Sequence, residues 1–378
     1  MVFNDNNNLP QSDLLNISAL TRLFKNTTNS YKYQFFLSIL DILIRKRFDV
    51  SEPIELREVI IEMLANAWYP HNYFRLSFGI QDKIADKLDA LNLQFSNFKD
   101  PDKKELREAI SSRNLDDVIF YIRRYVPFRL ITPFLETELK GIDRNYEVDT
   151  VVTNISRIYF QSRKPLYCFD SSEYRECRAI IIHPDWGRYI EANYSILRGW
   201  VSWEWLKYMQ RCNPNTPAIA SKLFPPLQRE SLANQTKYWI LVLEHTEIKC
   251  IYSNLFVSKD DLSLDHYLPW SFVAHDQLWN LIPTPRAINS TKSNNIPVTD
   301  KYFDKFVQLQ YLGLTTSYTR MTEKQWSKYV ESYLSDLKIA HQSSLLDLNL
   351  LREAYKSTII PLISLASNQG FKTDWSYK

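Results

Sequence analysis

Asp265 and His266 stand side by side in this sequence, and Asn280, Asn289 and Lys292 follow at short intervals within DHYLPWSFVAHDQLWNLIPTPRAINSTKSNNIP, positions 265–297. An acid, a histidine and two asparagines at such intervals suit the hydrolysis of a phosphodiester. A hard divalent cation needs oxygen ligands, the attacking water needs a base, and the two must be held apart. Histidine is the side chain whose ordinary titration lies near neutrality, so His266 is the expected general base. Asp265 is expected as a metal ligand, its carboxylate pointing to the other side of a strand from the imidazole. Asn289 can supply an amide oxygen as the second protein ligand. Mg²⁺ keeps several waters and takes one or two protein oxygens, so Asp265 and Asn289 would suffice, and Mn²⁺ would substitute. Asn280 reads as a structural brace, since buried asparagines in irregular loops pin backbone groups. Lys292, one helical turn from Asn289, and Arg286 are expected to touch flanking phosphates. His275 is expected to contact a phosphate, to act as an alternate ligand, or to sit on the loop surface. His71, His183, His245 and His341 lack companions and read as structural, and Cys168, Cys177 and His183 lack a fourth ligand for a metal site.

The elements that must position these residues come next. LSLDHYLP reads as a short strand and 286–292 as a helix after a Pro-punctuated loop, so a strand-end carboxylate would face a helix-borne amide. Upstream, YWILVLEHTEIKCIYSNLFVS contains two strand-like runs. Further back, 30–46 reads as a helix with Phe35, Ile39 and Leu43 in one apolar row and Phe36 and Leu40 in another. A second helix runs over about 56–67 and is expected to break at Pro70. Helical patterns continue near 80–93, 103–111 and 115–125. PLYCFD and CRAIIIHP read as strands. WGRYIEANYSILRGWVSWEWLKYMQRCNP reads as a long helix whose Trp200, Trp203 and Trp205 belong to a core or, for one of them, to a base-stacking surface. Beyond Asp300 the chain is helical again, over 303–309, 326–339 and 344–365.

Composition sets the frame. The 378 residues are 45% hydrophobic, 24% charged and 14% aromatic, with only 6 glycines, and such a length supports two or three domains with their own cores. Neither GxxxxGK[ST] nor GxGxxG occurs, which argues against an NTPase or a dinucleotide enzyme. The net charge of +3 is small, yet positions 280–330 carry seven lysines and arginines against three acids, enough to offset phosphate repulsion locally. Four cysteines, none spaced CxxC, suggest a reducing compartment. The polar start MVFNDNNNLPQSD and the lack of an 18-residue apolar run predict a cytoplasmic protein with no membrane span.

The ordered pattern DHxxPxS, then NL, then NxxKSxN and Ile-Pro resembles the HNH (ββα-metal) endonuclease family. Its spacing is similar to that of the HNH domain of RNA-guided CRISPR effectors. The resemblance covers about 50 residues. It implies Asp265 and Asn289 as metal ligands, His266 as general base, Asn280 as the structural asparagine, and cleavage of one strand per site. Many members clamp this fold with paired CxxC zinc knuckles. Here Cys250 is followed by Ser253 and no second pair appears, so no structural zinc is expected. The asparagine at position 289 in place of a histidine favours Mg²⁺ over softer metals. The segments SYKYQFFLSIL and AWYPHNYFRLSFG are similar to those of bacterial HNH proteins of phage-defence systems, the Zorya effector nuclease type among them.

The expected fold class is α+β: a mainly helical chain carrying a small ββα-metal module. Four regions are expected: a helical regulatory or recognition domain over 1–150, an α/β connecting region over 151–230, the nuclease module over 231–310 and a helical region over 311–378. Three functions compete: a Mg²⁺-dependent DNA endonuclease of bacterial anti-phage defence, acting as a monomer with other proteins of a defence system; a stand-alone dimeric restriction-type enzyme; and an inactive nucleic-acid-binding or scaffolding protein with the same fold.

Overall fold

A computed structural model describes residues 9–25, 27–93, 102–142, 145–224 and 230–378. The fold is α+β and mainly helical, with two small antiparallel sheets. The chain divides into two compact units, Met1–Pro214 and Asn215–Lys378.

In the first unit, helix α1 (Tyr31–Arg45) buries Phe35, Ile39 and Leu43 together with Phe36 and Leu40. Both predicted apolar rows are therefore inside. Ser30 stands at its N-cap without a side-chain bond, and Asn29 accepts from the Tyr31 N–H at 3.3 Å instead. Helix α2 (Leu56–Trp68) buries Leu56, Ile60, Met63, Leu64 and Ala67. The expected break at Pro70 does not come there. The backbone widens into a π-type turn over Tyr69–Tyr73 with Pro70 in its first turn, where the missing proline N–H is no loss.

A three-stranded sheet has the order β1 (Ile54–Glu55), β3 (Ala179–Ile182), β2 (Tyr167–Phe169). Ile54 pairs with Ile180, so a strand from the first sixty residues is hydrogen-bonded to the segment expected to form a separate connecting region. That pairing places the connecting segment as far as Pro214 in the first unit, and the rest of it falls in the second. Helix α3 (Pro184–Cys212) starts with His183 accepting from the Asp185 N–H and bends at Asn193, whose φ and ψ are −121° and 19°. Trp200 and Trp205 are buried in the core, whereas Trp203 is 58% exposed.

In the second unit, helix α4 (Ala233–His245) occupies the stretch read as strand-like. The β-branched and aromatic run is helical because Tyr238, Trp239 and Val242 share one buried face. Tertiary packing overrides propensity here. Trp239 lies so close to Gly313 that a β-carbon there would sit 2.9 Å from the indole. The second strand-like run yields a single bridge, Lys249 to Phe256.

Strands β4 (Leu262–His266) and β5 (Leu281–Pro285) form the second sheet, and α5 (Arg286–Lys292) follows β5 without a loop. Helices α6 (Thr299–Arg320), α7 (Glu323–Asp336) and α8 (Leu348–Asn368) complete the unit. Their side chains grip the sheet. Gln310 donates to the Leu281 carbonyl at 2.9 Å, Tyr355 to the Trp279 carbonyl at 2.9 Å, and Tyr267 stacks on Phe306 with ring centres 4.1 Å apart. The module and the C-terminal helices thus share one core, although they were expected as separate regions. Among the described residues, no helix is long and apolar enough to cross a membrane.

Candidate active site

The strand pair sets the geometry. Asp265 pairs with Ile282 and His266 with Leu281. Alternation puts Ser263 and Asp265 on one face of β4 and Leu264 and His266 on the other. β5 reads LIPTP, and its two prolines are tolerated because a two-stranded ribbon leaves one hydrogen-bonding side of each strand free. Pro285 then serves as the N-cap residue of α5, so the chain turns at once and lays that helix back on β4. Asn289 donates from its amide nitrogen to Ser263 Oγ at 2.6 Å and to the Leu264 carbonyl at 3.2 Å.

One turn later, Lys292 reaches the same strand. Its Nζ donates to Asp265 Oδ1 at 3.0 Å and to the His266 carbonyl at 2.7 Å. Lys292 is fully buried and Asp265 nearly so. The expected contact of Lys292 with a flanking phosphate is therefore corrected. Spacing of i, i+3 places it on the same inward helix face as Asn289, and its ammonium neutralises a buried carboxylate. The other oxygen of Asp265 accepts from the Tyr252 hydroxyl at 2.7 Å. Burial drives the Tyr252 hydroxyl well above its ordinary range, and the Asp265 carboxylate adds to the effect, so Tyr252 stays a neutral donor.

On the opposite face, His266 Nε2 lies 2.8 Å from Asp276 Oδ1. A carboxylate accepts, so this contact favours the tautomer with the proton on Nε2, which leaves the Nδ1 lone pair as the acceptor. Nothing hydrogen-bonds that nitrogen among the described residues. Asp276 was not singled out in the sequence. Its only signal is an acid ten residues after the histidine in a loop long enough to fold back, beside the more conspicuous His275.

Asn280 is wholly buried, and its amide closes a two-way clasp with Leu268, accepting from the N–H and donating to the carbonyl, both at 2.8 Å. Its own carbonyl accepts from Tyr267 N at 2.9 Å. The loop leaving β4 is thereby fixed to the turn entering β5. Arg286 has an exposed side chain, and its backbone N–H meets Asp261 Oδ1 at 3.3 Å. His275 is half-buried. Burial pushes its imidazole down to about 4, with Asp336 and Asp276 opposing and His266 reinforcing the shift. Nδ1 accepts from the Gln277 N–H at 3.4 Å, and the ring tilts against Trp279 with centres 5.2 Å apart. At neutral pH it is uncharged, so the expected phosphate contact would lack a cation.

The donor set can be tested against a divalent ion. A carboxylate offers about four lone-pair positions, and two at Asp265 are taken by Tyr252 and Lys292. The amide oxygen of Asn289 has no hydrogen bond among the described residues, because both of its contacts use the nitrogen. Carboxylate and amide oxygens are hard donors, which fits an ion of the magnesium type. No group of three or more His, Cys, Asp or Glu side chains that could hold a metal occurs among the described residues.

Residues 250–298 match the model of a protein family described as HNH endonuclease. Neither the comparison with curated proteins nor that with solved structures finds a match. The matched segment begins just before Tyr252, ends just after α5, and contains every side chain that meets Asp265, His266 or Asn289 above. The second unit of this chain therefore carries an HNH endonuclease domain.

Proposed function

We infer that this protein hydrolyses DNA phosphodiester bonds with Mg²⁺, or Mn²⁺ in its place, using His266 as general base and Asp265 and Asn289 as metal ligands. The observation that carries the reading is the His266–Asp276 pair, which leaves Nδ1 as an open acceptor beside a strand that also bears Asp265 and receives Asn289 and Lys292. Asp276 holds the imidazole in one tautomer and stabilises the positive charge it acquires on taking a proton from water. Asp265 and Asn289 would hold the ion, which supplies stabilisation of negative charge at the phosphate and leaving oxygens. Lys292 fixes the Asp265 carboxylate and keeps the local charge from becoming strongly negative. Asn280 keeps the loop that brings Asp276 to His266 closed against the sheet.

The context we assign is bacterial anti-phage defence, supported by the likeness of segments 30–40 and 67–79 to HNH proteins of that kind. Supercoiled plasmid incubated with wild-type and His266→Ala protein tests the chemistry. Wild type with Mg²⁺ should give open-circular product, and the variant should be slower by about 100-fold or more. Chelator should stop both. Equal nicking by wild type and variant, or none by either, would overturn the reading. Equal plating of a phage panel on cells carrying wild-type and variant protein would remove the defence assignment alone.

A further inference from the structure

A cleft of about 980 Å³ opens in the second unit between α4, the turn at Gln277–Leu278 and the α6–α7 junction, at the upper end of the size range of ligand-binding clefts. We propose that it is a binding subsite for unpaired nucleotides flanking the cleaved bond, with Lys237, Arg320 and Lys328 on phosphates and Tyr329 and glutamine amides on bases. The proposal rests on the nuclease reading for the identity of the strand that is bound.

Three observations carry it. The first is connection to the catalytic face. Gln235, which lines the cleft, donates from Nε2 to the Asp276 carbonyl at 3.0 Å. Asp276 is the residue that orients His266, and Gln277, the next residue, is also in the lining. A strand attacked beside His266 would continue over this cleft.

The second observation is charge. Lys237, Arg320 and Lys328 are exposed and enter no ion pair among the described residues. Elsewhere in the unit Lys259 is paired with Glu244 and Arg352 with Asp304. Glu331 is the one carboxylate in the lining, which leaves a net positive rim suited to a phosphodiester backbone.

The third is the chemistry of the wall. The amide oxygen of Gln235 is buried without a hydrogen-bond partner among the described residues, and a buried acceptor left unmade is costly unless a ligand completes it. Amide side chains both donate and accept, so they meet any base edge, and a tyrosine ring offers a stacking surface that tolerates every base. Those contacts require bases that are not paired, and a cleft of this volume does not admit a duplex.

The wall is also rigid. Trp279 donates to Asp336 at 2.7 Å and thereby ties the turn to α7, and Tyr329 packs on Tyr238 with ring centres 5.3 Å apart.

The test is fluorescence anisotropy of a labelled thymidine 12-mer and of a duplex of the same length, with full-length protein in chelator so that nothing is cut. Wild type should bind the single strand more tightly than the duplex. Lys237→Gln/Lys328→Gln should weaken single-strand binding about tenfold or more and reduce the salt slope by about 1.4, two phosphate contacts at roughly 0.7 each. Tyr329→Leu should weaken it several-fold without changing the slope. An unchanged melting temperature of the lysine variant would show that the fold is intact. Equal binding by wild type and the lysine variant would overturn the subsite. Plasmid nicking is scored separately. If binding falls in the variants while wild type never nicks, the subsite stands and the nuclease reading fails. If nicking depends on His266 but binding is unaffected, the reverse holds.

Discussion

Both units bury carboxylates against cations, but with opposite outcomes. In the first unit Glu62 is completely buried and faces three cations, Arg45 and Lys103 at 2.8 and 2.7 Å and Arg107 at 3.5 Å. Asp41 is paired with Lys103 at 2.7 Å and with Arg198, and Asn66 donates to it at 3.1 Å. Burial pushes the Asp41 carboxyl up, yet Lys103 and Arg198 outweigh it and hold the group below the usual carboxylate range. In the second unit Asp265 has one cation and one hydroxyl. The neighbouring Asn289 oxygen and His266 Nδ1 have no partner among the described residues. A buried ion pair is by itself weak evidence for function or stability. What distinguishes the site is donor and acceptor capacity left open beside the pair.

The largest effect should come from removing a cation from each cluster. Lys292→Met leaves Asp265 buried beside one hydroxyl and should cost about 3–5 kcal/mol. Lys103→Met leaves Glu62 with two arginines and Asp41 with Arg198 and Asn66, so neither carboxylate is stranded and the loss should be smaller, about 1–2 kcal/mol. Calorimetric melting of the two variants checks this, and equal losses would erase the contrast drawn above.

Next in size is the pair on the imidazole. Asp276→Asn removes the charge that fixes the His266 tautomer and should slow nicking by about 10- to 100-fold while leaving the melting temperature nearly unchanged. Wild-type rates in this variant would remove Asp276 from the site.

The effect with the shallowest slope, spread over several pH units, concerns a buried lysine with no carboxylate partner among the described residues. Lys222 is fully buried, donates to the Phe272 carbonyl at 2.5 Å and lies over the Phe272 ring. Burial lowers its ammonium to about 7. Between that value and the ordinary lysine value near 10.5 the unfolded chain binds more protons than the folded one, so stability should rise with pH across this window. It should be lowest, and flat with respect to this group, below about 7. The slope should be on the order of 1 kcal/mol per pH unit, and Lys222→Met should abolish it. Urea unfolding from pH 6 to pH 10 measures both, and an unchanged slope in the variant would assign the dependence elsewhere.

Much of this architecture was legible from local pattern. The helix over 286–292 and the strand at LSLDH lie where turn residues and alternation put them. The apolar rows of α1 and the inner face of α2 are buried as their spacing requires. Other features were not legible. YWILVLEH has the composition of a strand, and only its fit against α6 at Gly313 makes it a helix. Asp276 is the one acid between Asp265 and Asp300, yet nothing local says that its carboxylate folds back onto an imidazole. Lys292 looked like a phosphate contact because spacing reports which residues share a helix face and not which way that face points.

By itself, the sequence determined the types of chemical group and their order along a strand, a loop and a helix, since periodicity and turn chemistry act over a few residues. The pairing of those groups was decided by tertiary structure alone. Burial makes an unpartnered charge costly, so each ionisable side chain takes the partner that folding brings within about 3 Å, and that choice depends on segments far apart in the chain.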